Sequence, residues 1–148
     1  MRRTSLACLA LSGALTACSA PEVRNTYEGP DRSRAEVAVL FTPRPDAYPD
    51  KRSRAHFSAV DGKHYGTYMA GYPAATKVVP GEVMIKVNCF DAQPAKWETF
   101  LLLRTRLEAG HYYELACDHF TASAIDRGTN YESIRHLLPA AIQDQLAR

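Results

Sequence analysis

Two histidines on either side of a turn dipeptide are the residues of this sequence best suited to binding a metal ion. His56 and His64 flank Asp61-Gly62 in the stretch HFSAVDGKHYGTYM, residues 56–69. Asp-Gly is typical of tight hairpins because both residues tolerate positive φ, so the two arms are expected to bring the imidazoles toward each other. Imidazole suits copper and zinc. The sequence therefore offers a metal site at His56 and His64, against the alternative of ordinary scattered histidines.

Tyrosines are concentrated in the segment that follows this turn. Tyr65, Tyr68 and Tyr72 lie within eight residues. Aromatic side chains with polar tips are common at binding surfaces. We expect this segment to be a contact surface for an envelope protein or a glycan. Because alternate residues of a strand face the core, packing is the alternative role.

Motifs of the common enzyme classes are missing from the sequence. It has no Gly-rich phosphate loop, no G-x-S-x-G, no H-E-x-x-H and no C-x-x-C. We therefore predict no catalytic residue and no cofactor. A structural or interaction role is expected, with a periplasmic copper or zinc accessory protein, or a binding module for an envelope enzyme or glycan, as alternatives.

The first residues have the pattern of an export signal. Arg2-Arg3 precede an apolar stretch over residues 6–17, which is shorter than the roughly 20 residues needed to span a bilayer as a helix. Leu15-Thr16-Ala17-Cys18 resembles the lipobox of bacterial lipoproteins, in which the chain is cut before the cysteine and the thiol carries lipid, palmitate for example.

This resemblance implies a signal peptide over residues 1–17 and a mature chain that begins with lipidated Cys18. Ser19, in place of an aspartate, implies sorting to the outer membrane, with the domain in the periplasm. The full chain has a net charge of +2. Without the two signal arginines it has 16 basic and 16 acidic residues, so the charge balance gives no reason to expect a nucleic-acid partner.

The remaining cysteines are expected to form a disulfide. Cys8 leaves with the signal and Cys18 carries lipid, so Cys89 and Cys117 remain as a pair in an oxidising compartment. Each falls on the apolar side of a predicted strand, so both thiols should point into the core. Closing this loop would stabilise the fold by about 3–4 kcal/mol.

Short alternating segments predict strands, and the end of the chain predicts a helix. The strands are separated by a proline-rich loop over residues 42–54 and by turns with Gly and Pro. Arg104 and Arg106 are expected to pair with Glu114 across the sheet. After a capping box at Thr129–Glu132, apolar residues recur every fourth position and Pro139 interrupts them, so a kinked helix or two short helices should follow. The predicted strands cover residues 35–41, 56–69, 81–91, 99–107 and 111–120.

These elements predict a mainly β fold, a small antiparallel β-sandwich with a short kinked C-terminal helix. We assign residues 18–34 to the lipidated N-terminus and tether, 35–122 to the sandwich, and 123–148 to the helical segment. The segments TYEGPDRSRAEVAVL, FSAVDGK, VVPGEVMIKVNCFD and LEAGHYYELACD resemble small bacterial lipoproteins of uncharacterised function. That resemblance implies a transthyretin-like or immunoglobulin-like sandwich and brings no activity with it.

Overall fold

Two β-sheets pack face to face in the computed structural model, which describes residues 22–50, 53–66, 71–91, 98–118 and 120–147. The mainly β sandwich predicted from the sequence is confirmed. The strands are β1 Val23–Asn25, β2 Ala38–Phe41, β3 Ser53–Val60, β4 Lys63–His64, β5 Ala75–Val78, β6 Gly81–Asp91, β7 Glu98–Leu107, β8 Tyr112–Cys117 and β9 Ala122–Asp126. A 3-10 helix covers Arg34–Glu36, and the helices are α1 Tyr131–Arg135 and α2 Ala140–Leu146. No helix in the described ranges is long and apolar enough to cross a membrane.

The first sheet has strand order β1-β5-β2-β8-β9 and the second has β4-β3-β6-β7. The second sheet is antiparallel throughout, but the first is mixed, since β1 runs parallel to β5 and β2 runs parallel to β8. The prediction of an antiparallel sandwich was wrong on this point. The second sheet lies between β2 and β8 in the sequence, so the chain returns as a crossover and can run in the same direction.

The first sheet is buried on both faces. One face packs on the second sheet, with Leu40 and Leu115 in the same core cluster as Val87 of β6. The opposite face packs under the helices through Phe41, Tyr112 and others. A strand covered on both sides contains apolar residues without alternation, and every residue of β2 and of β5 is accordingly buried.

The C-terminal segment forms two short helices, which confirms the second of the two predicted forms and not the single kinked helix. Pro139 is the N-cap of α2, where its missing N–H costs nothing. The cap of α1 also differs from the prediction: Asn130, not Thr129, accepts the bond from the Glu132 amide. Ile134, Leu138 and others pack on the first sheet as their spacing indicated.

Residues assigned to the tether belong in part to the folded domain. β1 pairs with β5, and the amide of Val23 donates to Oε1 of Gln145 in α2. β9 likewise extends the sandwich to Asp126, beyond the predicted boundary at 122. Both strands lie at sheet edges and are short, so their sequences carry little alternation. Cys18 lies outside the described residues.

The pairing predicted for Arg104 and Arg106 was also wrong. Arg104 is opposite Met84 and Arg106 is opposite Glu82, both in β6 of the second sheet. Glu114 belongs to β8 in the first sheet. Sequence parity places a residue on a face of its strand but does not say which strand is its neighbour.

The predicted disulfide is confirmed and joins the two sheets. Cys89 lies near the end of β6 and Cys117 ends β8, with their Cα atoms 6.0 Å apart. The Asp61-Gly62 hairpin is confirmed as well, with φ of 47° and 79° at the two turn residues. The disulfide therefore ties together the two layers at one end of the sandwich.

Loss of this disulfide should lower the free energy of unfolding by about 3–4 kcal/mol, because the unfolded chain gains the entropy of an open loop. The variant Cys89→Ala/Cys117→Ala, compared with the parent protein in urea denaturation, measures the loss. Reduced parent protein is the matched control and should unfold at the same urea concentration as the variant. An unchanged midpoint in both samples would contradict the prediction.

Candidate ligand-binding site

A cavity forms at the end of the sandwich that carries the Cys89–Cys117 disulfide, because the neighbouring strands β2 and β8 end at different points. The ladder between β2 and β8 ends with Phe41 opposite Glu114. Pro43 and Pro45 follow β2 and cannot continue a ladder, since proline has no amide hydrogen. β8 runs on to Cys117. The chain after β2 therefore turns away from β8, and a cavity of about 230 Å³ opens at this point.

The cavity wall comes from both sheets and from the loops between them. β3 contributes its first residues, β8 its last ones, and the proline-rich loop the outer side. The lining includes Thr42, Pro43, Tyr48, Ala55, His56, Tyr72, Glu114, Leu115, Ala116 and Cys117, and also the charged residues Arg44 and Arg54. The walls are mainly apolar, with a few polar groups, as in most small-molecule sites. Cys117 lies in the wall itself, so the disulfide fixes one side of the cavity.

Glu114 is a buried acid at the cavity wall, with no exposed surface. Its Oε2 accepts hydrogen bonds from Nε and Nη2 of Arg127, at 2.9 and 2.6 Å, and from the hydroxyl of Tyr48 at 2.8 Å. Arg127 Nη2 also donates to the Tyr48 oxygen at 3.0 Å. Burial and the bond to Glu114 raise the pKa of Tyr48. Although burial opposes it, the bond to Glu114 raises the pKa of Arg127.

The second oxygen of the Glu114 carboxylate differs from Oε2 in its hydrogen bonding. Oε1 of Glu114 is buried and has no hydrogen-bond partner among the described residues, and the same holds for Oγ1 of Thr42. Both residues line the cavity. Buried polar atoms are nearly always paired because an unpaired one keeps its full desolvation cost. The cavity is thus lined by two residues that each carry a hydrogen-bonding atom the described protein does not satisfy.

Aromatic rings hold His56 on the other side of the cavity. Its ring stacks on Tyr72 with centroids 5.3 Å apart and meets the edge of Phe90 at 5.5 Å. The hydroxyl oxygen of Tyr72 accepts a 2.6 Å hydrogen bond from the side-chain amide of Asn88. Burial, and secondarily the positive charge of Arg54, lower the pKa of His56 to about 4. His56 is therefore neutral at pH 7 and contributes no charge to the wall.

The hairpin does not place the two candidate metal ligands opposite each other. His64 pairs with Ala59, which lies three residues, or about 10 Å, along β3 from His56. His64 is exposed, whereas His56 is enclosed by aromatic rings. No group of three or more potential metal ligands occurs in the part of the chain that is described. The expected approach of the two imidazoles is wrong, and metal binding itself stays a prediction.

The three tyrosines predicted to form a contact surface have different positions. Tyr65 is only 7% exposed and packs in the core between the sheets, so its assignment to a surface was wrong. Tyr72 lines the cavity. Tyr68 lies outside the described residues. Of this group, Tyr72 alone is placed by the structure at the candidate site.

Sequence reasoning missed Glu114, Arg127 and Tyr48. Glu114 occupies a position on β8 that alternation assigns to solvent. A signal was available in the run Tyr112-Tyr113-Glu114-Leu115-Ala116, because a strand that is apolar at both parities is covered on both faces. An acid within such a strand is buried and needs a partner. The identity of that partner depends on tertiary structure.

A second depression lies beside β1 and is lined by charged groups. Its volume is about 710 Å³, and its wall includes Asp31, Arg34 and Lys77. Lys77 Nζ binds both oxygens of Asp31, at 2.9 and 2.8 Å, and Arg34 lies over the Tyr112 ring, 3.7 Å from its centroid. Lys77 and Asp31 are paired with each other, whereas Nη1 of Arg34 is buried without a hydrogen-bond partner among the described residues. This depression is wide and lined by charged groups, so the smaller, mainly apolar cavity is the better candidate for a small-molecule site.

Acid should weaken the folded state through His56. The unfolded chain takes up the proton near pH 6.5 and the folded chain near pH 4, so the stabilisation is complete above pH 6.5 and is lost as the pH falls toward 4. The free energy of unfolding of the parent should fall between pH 7 and pH 5, and in His56→Phe this fall should be smaller by about 2 kcal/mol. Urea denaturation at both pH values measures this difference. An NMR titration of the His56 ring with a midpoint near 6.5 would contradict it.

No family model matches this sequence, and searches of the curated proteins and of the solved structures also find no match. The geometry of the cavity is therefore the basis on which a function is assigned.

Proposed function

We propose that this chain is a lipid-anchored protein of the bacterial envelope whose β-sandwich is a non-catalytic binding module. The cavity beside β8 is its binding site, and a small molecule with a largely apolar body is its ligand. The observation that carries the proposal is the unsatisfied Oε1 of Glu114 in the wall of a mainly apolar cavity. Pockets of this kind, apolar with a few fixed polar groups, are the usual form of a small-molecule site.

The size and rigidity of the cavity support this role. An apolar cavity of about 150 Å³ is large enough to bind benzene, and this one has about 230 Å³. Its walls belong to strands of both sheets, which the Cys89–Cys117 disulfide joins. A preformed site loses less entropy on binding than one that must be ordered by its ligand.

The proposed anchor places the binding module close to the membrane. The pattern Leu15–Cys18 is the basis for lipidation. β1 begins at Val23, so five residue steps, at most about 18 Å, separate the acylated cysteine from the sandwich. We therefore propose that the protein faces the periplasm from the outer membrane and meets its ligand there.

The anchor is tested on protein purified from bacterial membranes. We expect the N-terminal peptide to begin at Cys18 and to carry the mass of acyl chains, because cleavage precedes the lipidated cysteine. Mass spectrometry measures this directly. Cys18→Ser is the matched variant and should leave the membrane fraction. An unmodified N-terminus at another residue would contradict the proposed anchor and leave the cavity proposal intact.

The cavity is tested by filling it. Ala116 lines the cavity and is half-buried, so Ala116→Leu should occupy the space that a ligand needs. The mature chain with Cys18→Ser, which needs no detergent, is titrated with ethylbenzene while NMR follows the amides of Leu115 and Ala116. We expect saturable shifts in the parent and at least a tenfold weaker response in Ala116→Leu.

The matched control is Ala141→Leu, the same change at an exposed position of α2. It should bind ethylbenzene as the parent does. Equal binding by Ala116→Leu and the parent, or no saturable shift in the parent with either ethylbenzene or benzyl alcohol, would overturn the cavity as the binding site.

A further inference from the structure

We infer that the ligand of this cavity has one neutral hydrogen-bond donor, a hydroxyl or an amide N–H, at the end that enters the protein, and an apolar body behind it. This inference rests on the proposed function and names its ligand class. It comes from the uneven use of the two oxygens of Glu114. Three donors converge on Oε2, and Oε1 has none among the described residues.

A donor is required because a carboxylate oxygen can only accept hydrogen bonds. A pure hydrocarbon in the cavity would leave Oε1 without a partner and would complete its isolation from water. An anionic group would bring a second negative charge to the same oxygen. Both classes are therefore disfavoured at the inner end of the site.

The donor should be neutral because the charge of Glu114 is already compensated. Arg127 Nη2 lies 2.6 Å from Oε2, so an ammonium group at Oε1 would meet a guanidinium across a single carboxylate. Glu114 is buried and its charge is already balanced by the partly exposed Arg127, so a second cation at Oε1 would be desolvated without a negative charge of its own. A hydroxyl or amide N–H meets the need of Oε1 without that cost.

Thr42 provides a second unsatisfied hydrogen-bonding group in the lining of the cavity. Its Oγ1 is buried without a partner in the described protein, and a threonine hydroxyl both donates and accepts. A ligand hydroxyl, which also does both, could donate to Glu114 or exchange a bond with Thr42. Two residues with unsatisfied polar atoms in the lining of one cavity favour a ligand with a polar inner end over an accidental packing defect.

Three probes of similar size separate the ligand classes: ethylbenzene, benzyl alcohol and benzylammonium. They share a ring and differ in the terminal group, which is a methyl, a neutral donor or a cation. We expect benzyl alcohol to bind the mature Cys18→Ser chain with a Kd at least tenfold below that of ethylbenzene, and benzylammonium to bind more weakly than benzyl alcohol. NMR titration of the Leu115 and Ala116 amides gives each Kd.

Thr42→Val is the first variant, because it removes an unpaired hydroxyl and keeps the shape of the side chain. It should fold as well as the parent, and the preference for benzyl alcohol should fall at least threefold. Thr105→Val, on β7 of the other sheet and outside the cavity, is the control and should keep the full preference. Glu114→Gln, which also disturbs the pair with Arg127, should reduce the preference, because its amide oxygen would serve Arg127 and Tyr48 and an N–H group, not an acceptor, would lie at the position of Oε1.

The outcomes distinguish this inference from the function on which it rests. Equal affinity for ethylbenzene and benzyl alcohol would overturn the neutral donor while leaving a working apolar cavity. Tighter binding of benzylammonium would overturn it in favour of a cationic ligand. An unchanged preference in Thr42→Val together with a folded, unchanged Glu114→Gln would place the donor contact elsewhere. Failure of all three probes to bind would remove the proposed function itself.

Discussion

The ion pair between the buried Glu114 and the partly exposed Arg127 is the constraint on which this end of the molecule depends. A carboxylate without exposed surface is tolerated only when its charge is compensated and hydrogen-bonded. Arg127 follows β9 directly, and Tyr48 comes from the proline-rich loop. One acid on β8 thus determines the position of two other segments. The loop that forms the outer wall of the cavity is held there by the hydroxyl of Tyr48.

The same pair defines the chemistry of the cavity. Arg127 and Tyr48 use one oxygen of the carboxylate, and the other oxygen remains at the wall without a donor in the described protein. His56, on the facing side, is neutral because its surroundings are apolar and Arg54 is close. The site therefore has hydrogen-bonding capacity beside Glu114, whose charge Arg127 compensates, and two further cationic residues, Arg44 and Arg54, in its lining. At the carboxylate itself, this arrangement favours a neutral donor over an ion.

Much of the fold was predictable from the sequence because it is encoded locally. Alternation on β6 placed Val83, Ile85, Val87 and Cys89 on the core face, and Asp61-Gly62 set the hairpin turn. The parity of Cys89 and Cys117 was enough to orient both thiols inward. The site was not predictable in the same way, since the partner of Glu114 comes from a different segment, and its burial depends on helices that cover the outer face. His56 was noticed for metal binding, but the burial that, with the charge of Arg54, lowers its pKa comes from tertiary packing against rings such as Tyr72 and Phe90.

The disulfide also has a consequence for when the protein can work. Cys117 forms part of the cavity wall, and its bond to Cys89 holds the two sheets together at that point. A newly made chain in a reducing compartment has both thiols free, so its sheets are not yet tied there. For the exported binding module proposed above, ligand binding would then be acquired on maturation, after export and oxidation. The precursor of such a protein would pass through the cell interior without competing for the ligand.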